Sequence, residues 1–207
     1  MFELETFTAE KIIDETKTLQ YLYGLKREIR YAQTRTQDDS TESVAEHVYG
    51  MHICALYFLP LENPDNTWDK AKIFEMISLH DIDEIETGDI IGYLKNDAMR
   101  AAEADAMRIV MTKSPLHMRS TMKQAIDEYD EQQTNEARFV KAIDKFEPLV
   151  HMYNDKGRDI FQTNKTTAEN ARVIKESYIK PFPYMYAFYQ EIHKRMIFEG
   201  FFYYSNN

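Results

Sequence analysis

The chain has 207 residues, of which 43% are hydrophobic and 13% aromatic, and a formal net charge of −10. This length and composition predict one folded globular domain and exclude a disordered chain. The acidic balance argues against nucleic-acid polymers and anionic membranes as partners, because both need clustered positive charge, and no apolar run approaches the ~20 residues of a membrane span.

The one cysteine, Cys54, lies among apolar residues and excludes a disulfide within the chain. We interpret it as a small buried hydrophobic residue. The N-terminal stretch MFELETFTAE lacks the basic and then apolar pattern of a secretion signal. Together with the absence of disulfides, this predicts a cytoplasmic protein.

Apolar residues recur mostly at spacings of three and four, which predicts helices throughout the chain. In chain order, the predicted helices run from about Thr8 to Leu25, from Ser43 to Phe58, from Thr67 to His80, from Asn96 or Asp97 to Thr112, from Ser114-Pro115 onwards, from Asn135 through EARFVKAIDKFEPLVHMY, from Thr167 to Ile179 and from Pro183 to Phe198. We find no alternating strand pair and no internal repeat. The sequence therefore predicts an all-α bundle in a single domain.

Four of these boundaries depend on particular residues. Ser43 and Glu46 fit a capping box at the start of the second helix, and Pro60 is expected to stop that helix. Thr67 is the predicted cap of the third helix. Ser114-Pro115 has the cap-plus-first-position pattern of a helix start.

The stretch LHDIDEIETGD, from Leu79 to Asp89, contains one histidine and five carboxylates at the end of an apolar helix. An unpaired charge is costly to bury there, whereas the adjacent imidazole and carboxylate of His80 and Asp81 can share one cation. Glu84 is four residues after His80, so a helix would place both on one face. Asp89 follows a glycine at which the chain is expected to turn.

Two further residues can complete such a site from other helices. His47 lies near the start of the second helix, and Asp144 lies in the most apolar stretch of the sixth. Taken singly, His47 is more often a core or helix-terminal histidine, and Asp144 an ion-pair partner of Lys141. Taken together with His80 and Asp81, they predict a two-nitrogen, two-oxygen site for one divalent ion, with Mn, Co, Fe or Zn favoured and Mg possible.

The ordered motifs ESVAEHV, LHDIDEIETGDI and ARFVKAIDKFE resemble those of the HD-domain phosphohydrolases. Within that family they are most similar to the 5′-deoxynucleotidases, which release phosphate from deoxynucleoside 5′-monophosphates. The resemblance covers about residues 19–155, which we take as the metal-site core, and leaves a helical C-terminal extension at about 160–207. It implies an HD-type helical bundle with one metal ion held by His47, His80, Asp81 and Asp144.

The resemblance also implies roles for residues around the metal. Glu84 is expected to transfer a proton or position water, and Asp89 to lie near the nucleotide and the attacking water. Arg30, in LKREIRY, matches the arginine that binds the phosphate. Lys141, one helical turn before Asp144, is expected to face the same pocket. Relatives often have a tryptophan in the sugar pocket three residues after the arginine, where this chain has Gln33.

The expected function is hydrolysis of nucleoside 5′-monophosphates, with deoxynucleotides as the expected members of that class. One alternative is hydrolysis of another phosphoester, such as a cyclic or pyrophosphorylated nucleotide. A second alternative is a non-catalytic protein that binds nucleotides for regulation. We interpret the aromatic segments YMYAFY and FEGFFYY as core or subunit interface, and we expect a homodimer.

Overall fold

The computed structural model describes residues 9–31, 33, 41–89 and 97–204. These residues form an all-α bundle, with one isolated bridge between Ile29 and Ser43 as their only β-type pairing. The helices are α1 (Ala9–Leu22), α2 (Val44–Glu62), α3 (Lys70–Leu79), α4 (Glu84–Thr87), α5 (Asp97–Lys113), α6 (Arg119–Glu131), α7 (Asn135–His151), α8 (Asp155–Thr163), α9 (Ala168–Val173), α10 (Glu176–Ile179) and α11 (Pro183–Phe198). The predicted all-α, single-domain fold is confirmed. Among the described helices, none is long and apolar enough to cross a membrane.

Helix α7 is the centre of the bundle and packs against α2, α3, α6 and α10. Its side chains Phe139, Ile143 and Phe146 are buried, as their three-and-four spacing predicts, whereas Val150 at the same spacing is exposed and Leu149 is buried instead. Burying a side chain of this size stabilises the fold by about 1.5–3 kcal/mol. The core therefore holds α7 firmly, together with the Asp144 that it carries.

Helix α2 begins as predicted and ends later than predicted. The Glu46 N–H donates to Ser43 Oγ over 3.3 Å, and the Ser43 N–H donates to the Glu46 carboxylate over 2.7 Å, which is the predicted capping box. The predicted stop before Pro60 is wrong, because α2 continues to Glu62. Pro60 lies in the last turn, where its missing N–H leaves only the carbonyl of the exposed Leu56 without a helical donor.

The predicted cap of α3 is also wrong. The helix starts after Asp69, whose carboxylate accepts the N–H groups of Ala71 and Lys72 at 2.9 and 3.3 Å. Thr67 instead donates its N–H and its hydroxyl to the side-chain oxygen of Asn63. Both residues can cap a helix, and the competing partner at Asn63 decides between them.

Ser114-Pro115 was expected to open a helix, and this expectation is wrong as well. The Ser114 hydroxyl donates back to the Val110 carbonyl over 2.7 Å, so it closes α5. A short 3₁₀ helix follows at Leu116–Met118, and α6 begins at Arg119.

The predicted helix from Thr167 to Ile179 is divided into α9 and α10. Thr167 caps α9 as expected, by accepting the Asn170 N–H at 3.1 Å. The chain leaves the helical conformation at Lys175, which has φ −121° and a side chain buried against α7. A tertiary contact therefore interrupts a segment that is locally helical.

Helix α8 was not predicted. Asn154 caps it by accepting the Gly157 N–H at 2.9 Å. Gly157 lies so close to the Met152 carbonyl that a Cβ would collide with it. In the sequence this glycine resembles a helix breaker, whereas in the structure it permits the close approach of α8 to the end of α7.

Candidate metal centre

Three separate parts of the fold carry the four predicted metal ligands. His47 lies in the first turn of α2, His80 and Asp81 follow the end of α3, and Asp144 lies midway along α7. One ligand atom from each of His47, His80 and Asp81 lies within 4.8 Å of the others. Asp144 Oδ1 lies 3.7 Å from His47 Nε2. The structure thus brings all four residues together.

The two histidines present the same ring atom to this space. The Glu147 carboxylate accepts from His47 Nδ1 at 2.6 Å, and the Ile77 carbonyl accepts from His80 Nδ1 at 3.0 Å. Because both partners can only accept, each Nδ1 carries a proton, and in the neutral imidazole each Nε2 has a lone pair. Among the described residues, neither buried Nε2 atom has a hydrogen-bond partner.

This arrangement fits a divalent cation. The His80 Nε2 atom lies 3.0 Å from Asp81 Oδ2, so when the imidazole is neutral a lone pair and a carboxylate oxygen meet at close range. Two such acceptors repel each other in a buried site unless a proton or a cation lies between them. The donor set of two imidazoles and two carboxylates matches ions such as Mn²⁺, Co²⁺, Fe²⁺ or Zn²⁺.

Neighbouring cationic groups favour the ionised forms of Asp144 and Asp81. Burial opposes ionisation of Asp144, but the Lys145 ammonium and the His47 contact hold its pKa well below the usual range. Burial likewise opposes ionisation of Asp81, and the neighbouring His80 lowers its pKa below the usual value. Burial and Arg30 disfavour protonation of His47, but the nearby carboxylates of Asp144 and Glu147 outweigh them and raise its pKa to about 8.

The second oxygen of Asp144 is fixed by three donors. Tyr129 donates its hydroxyl to Oδ2 over 3.0 Å, and the Lys145 ammonium lies 3.0 Å from the same atom. Lys141 lies 3.5 Å from Oδ2 and also donates to the Tyr129 hydroxyl over 2.9 Å. Lys141 therefore lines the pocket, as predicted from its spacing, while it also orients Asp144.

Arg30 is buried between two carboxylates. Its Nη1 donates to Glu42 Oε2 over 3.0 Å, and its Nε lies 3.5 Å from Asp89 Oδ1. The backbone of Arg30 also donates to the Glu42 carbonyl, as part of the bridge that joins this segment to the start of α2. Asp89 is anchored in turn, because its Oδ2 accepts the Tyr31 N–H at 3.0 Å.

Glu84, the first residue of α4, is buried and lines the same cavity as the candidate ligands Asp81 and Asp144. Its Oε2 has no hydrogen-bond partner among the described residues. Burial, followed by the charges of Asp81 and Asp89, raises the pKa of Glu84 well above the usual value. The raised pKa favours the protonated form of this carboxyl group, which can donate a proton.

The predicted site residues other than Gln33 share a common region. A cavity of about 190 Å³ is lined by Arg30, Asp81, Glu84, Asp89, Lys141 and Asp144. His47 and His80 are buried and do not line this cavity, and each has a ring nitrogen within 4.8 Å of an Asp81 carboxylate oxygen. Gln33 is not among the described residues that line the cavity, and its side-chain amide donates to the Tyr31 carbonyl over 3.3 Å.

The HD-domain family model matches residues 22–184, which is more than half of the chain. The chain belongs to the HD-domain family. It is similar to the 5′-deoxynucleotidase HDDC2 of Mus musculus, with 27% identity over 134 residues, covering 64% of this chain and 65% of the mouse protein. It is also similar to the 5′-deoxynucleotidase hdd1 of Schizosaccharomyces pombe, with 31% identity over 121 residues, covering 56% of this chain and 59% of the S. pombe protein. The matches thus span less than two thirds of these two relatives.

Solved structures share the architecture of this chain. A predicted metal-dependent phosphohydrolase from Magnetospirillum magnetotacticum MS-1 has a TM-score of 0.77 at 20% identity, covering 93% of this chain and 98% of that one. An HD-domain phosphohydrolase from Listeria innocua has a TM-score of 0.57 at 16% identity, covering 89% and 85%. At these identities the likeness establishes the fold alone, and the HD-domain resemblance inferred from the motifs is confirmed by the family match.

Several residues of this HD domain that surround the ligands were not identified from the sequence. Glu147 accepts from His47, and Gly50 leaves space for it, since a Cβ at Gly50 would collide with the Glu147 carboxylate. Tyr129 and Lys145 hold Asp144. A signal for Glu147 was present, because it is a carboxylate three residues after Asp144 in the same apolar helix.

Proposed function

We propose that this HD domain is a metal-dependent phosphohydrolase that releases phosphate from nucleoside 5′-monophosphates, with deoxynucleotides as its substrate class. The observation that carries the proposal is the pair of buried Nε2 atoms of His47 and His80 beside Asp81, without a hydrogen-bond partner in the described part of the chain. The buried Arg30 and the buried Glu84, whose pKa is raised, share the adjoining cavity. The names of the similar proteins, 5′-deoxynucleotidases, support the choice of substrate.

The proposed metal ligands are His47, His80, Asp81 and Asp144. Mn, Co, Fe or Zn suits this mixed set, and Mg is also compatible with it. When bound, a divalent ion supplies positive charge that attracts a phosphate oxygen and increases the acidity of water. The remaining chemistry belongs to the side chains of the chain itself.

Arg30 is the proposed phosphate-binding residue. A guanidinium offers five N–H donors in a planar fork, and Glu42 takes one of them through Nη1. The other donors can form paired hydrogen bonds with phosphate oxygens and offset the charge that grows during the reaction. Because Glu42 and Asp89 fix the guanidinium, the phosphate would be oriented without further ordering of the arginine.

Glu84 and Asp89 are the proposed proton-transfer residues. Because its pKa is raised, Glu84 is suited to hold a proton and to donate it to the 5′-oxygen of the leaving nucleoside. Asp89 lines the same cavity, and its anchoring by the Tyr31 N–H keeps its carboxylate in place. We assign Asp89 to orient the attacking water and to accept its proton.

The test is phosphate release from matched deoxynucleoside and ribonucleoside 5′-monophosphates. The protein would be stripped of metal and then given Mn²⁺, Co²⁺, Mg²⁺ or Zn²⁺ in turn. We expect release that depends on the added ion and that Asp81→Ala abolishes. Glu84→Gln should still bind the ion and lose about 10²–10⁴-fold in rate, whereas Glu75→Gln, at an exposed position of α3, should behave as wild type.

Two results would contradict the proposal. Protein that binds the ion but releases no phosphate from any of these nucleotides is not a nucleoside monophosphatase. Full activity of Glu84→Gln would remove the assigned proton donor, while leaving the reaction itself established.

A further inference from the structure

The substrate cavity has a second part that the proposed chemistry does not use. Besides the site residues, the lining of this cavity includes an apolar wall. The wall comes from α7, α8 and α9 and from the residues that directly follow α7 and α9. The residues of this wall are Leu149, Met152, Ile160, Phe161, Ala171 and Ile174. Lys175 follows this wall in the sequence, lines the same cavity, and has only 8% of its surface exposed.

Lys175 lacks the carboxylate partner that the other cations of the cavity have. Arg30 is paired with Glu42 and Asp89, and both Lys141 and Lys145 lie on Asp144. The ammonium of Lys175 donates to the Lys145 carbonyl over 3.0 Å, and within the described ranges no carboxylate lies at ion-pair distance from it.

The surroundings of the Lys175 ammonium are unfavourable for a charged group. An ammonium group has three N–H donors, and the Lys145 carbonyl uses one of them. Burial, together with repulsion from Lys145, lowers the pKa of Lys175 to about 7, which reflects the cost of keeping a charge there. A buried cation that faces a cavity without an anion is suited to a ligand that brings an acceptor oxygen.

The phosphate group of the substrate is not the group best suited to supply the acceptor oxygen for Lys175. Arg30 and the proposed metal already serve the phosphate, and an apolar wall does not favour a doubly charged group. An apolar wall does suit the flat face of a heteroaromatic ring, and a single donor at its edge gives the ring an orientation. The nucleoside base has both properties.

We propose that Lys175 and the apolar wall form the base-binding part of the site, and that Lys175 donates a hydrogen bond to a ring carbonyl of the base. Bases with an exocyclic carbonyl on the edge remote from the sugar, which are thymine, uracil and guanine, would then be preferred to adenine, which carries an amino group there. This inference rests on the proposed function, because it needs a nucleotide in the cavity.

The experiment compares kcat/KM for dTMP, dGMP and dAMP in wild type and in Lys175→Met, which keeps the length of the side chain and removes its charge and donors. We expect wild type to prefer dTMP and dGMP to dAMP by roughly tenfold or more, the value of one hydrogen bond to a charged donor. Lys175→Met should lose this preference because its kcat/KM for dTMP and dGMP falls, while its kcat/KM for dAMP stays within about twofold of wild type. Lys180→Met, at an exposed position five residues later, should keep the wild-type preference.

A thermal unfolding measurement separates this role from a structural one. Lys175→Met removes an uncompensated buried charge, so the metal-free variant should unfold at a higher temperature than wild type. A lysine that merely supported the fold would give the opposite result.

Equal kcat/KM values for dTMP and dAMP in wild type would overturn the inference and leave the proposed function intact. A loss in Lys175→Met that is the same for dTMP, dAMP and a simple aryl phosphate would also overturn it, because it would place Lys175 on the phosphate. If wild type releases no phosphate at all, the proposed function fails, and calorimetric titration with dTMP and dAMP then decides the base preference by itself.

Discussion

At the scale of single residues, Glu147 determines what His47 can bind. Its carboxylate accepts a hydrogen bond from His47 Nδ1 at 2.6 Å, which leaves Nε2 beside Asp144 Oδ1 and the cluster with His80 and Asp81. The lack of a side chain at Gly50 provides the space for this carboxylate. Both residues act on the metal site without contributing a ligand to the predicted set of four.

Replacing Glu147 should therefore weaken metal binding without removing a ligand. We expect Glu147→Gln to lower the affinity for Mn²⁺ or Co²⁺ by about 10–100-fold, since an amide oxygen is a weaker acceptor for the imidazole proton. Isothermal titration of the metal-free protein measures this directly. Gly50→Ala should reproduce the effect by displacing the carboxylate, whereas Glu75→Gln should not; unchanged affinity in the first two variants would disprove the assigned role.

The raised pKa of His47 predicts a pH dependence in the metal-free protein. Its pKa of about 8 lies above the ordinary value of 6.5, so the folded state holds this proton more tightly than the unfolded state does. The resulting stabilisation, about 2 kcal/mol, is complete below pH 6.5 and is lost as the pH rises through 8. Lys175 acts in the opposite direction, because its pKa is lowered to about 7 and its cost disappears as it deprotonates.

Comparison with a variant isolates the His47 contribution from that of Lys175. We expect the difference in free energy of unfolding between wild type and His47→Gln to be larger at pH 6 than at pH 9 by about 2 kcal/mol. Urea denaturation of metal-free samples at both pH values gives this difference. If the difference in free energy of unfolding between wild type and His47→Gln is equal at pH 6 and pH 9, His47 does not hold an extra proton in the folded protein.

At the scale of elements, the start of α2 connects helix capping to the metal site. Ser43 caps the helix, and His47 follows one turn later with its backbone bonded to the Ser43 carbonyl. A shift of this first turn would move the imidazole relative to Asp81 and Asp144, which other elements hold.

Ser43→Ala should therefore have two effects. The loss of the cap should cost about 1 kcal/mol of stability, and the affinity for the metal should fall because His47 is less well fixed. Thr134→Ala is the matched control, since Thr134 caps α7 but lies ten residues before Asp144. Urea denaturation should show a similar loss for both variants, and metal titration should show a change in Ser43→Ala alone. Equal metal affinities in the two variants would show that the cap does not position His47.

The helices were largely predictable from the sequence, and their ends were less so. Strong apolar periodicity identified the helices that form the core, such as α7. The errors arose where a tertiary contact overrode a local signal. Thr67 hydrogen-bonds to Asn63 and therefore does not cap α3. Burial of Lys175 interrupts the predicted helix from Thr167 to Ile179. Gly157 permits close packing of α8, which the sequence does not indicate.

At the scale of the whole molecule, the sequence identified the proposed metal ligands better than the residues around them. The ligands were visible because each is a polar group in an apolar segment. Tyr129 and Lys145 acquire their roles only when α6 packs beside α7. The homodimer stays a prediction, and Phe201 and Phe202 of the aromatic tail that suggested it are buried within this chain.

The metal should also stabilise the whole fold, because its proposed ligands come from α2, from the end of α3 and from α7, which are distant in sequence. An ion that binds only the folded state, at 100 times its dissociation constant, adds about 2.7 kcal/mol to stability. For a chain of this size, that corresponds to a rise in the unfolding temperature of roughly 5–10 °C. The measurement is thermal unfolding of chelator-treated protein with and without Mn²⁺ or Co²⁺, with Asp81→Ala as the control that should show almost no rise. If the ion binds wild type but leaves its unfolding temperature unchanged, it binds somewhere other than between these three helices.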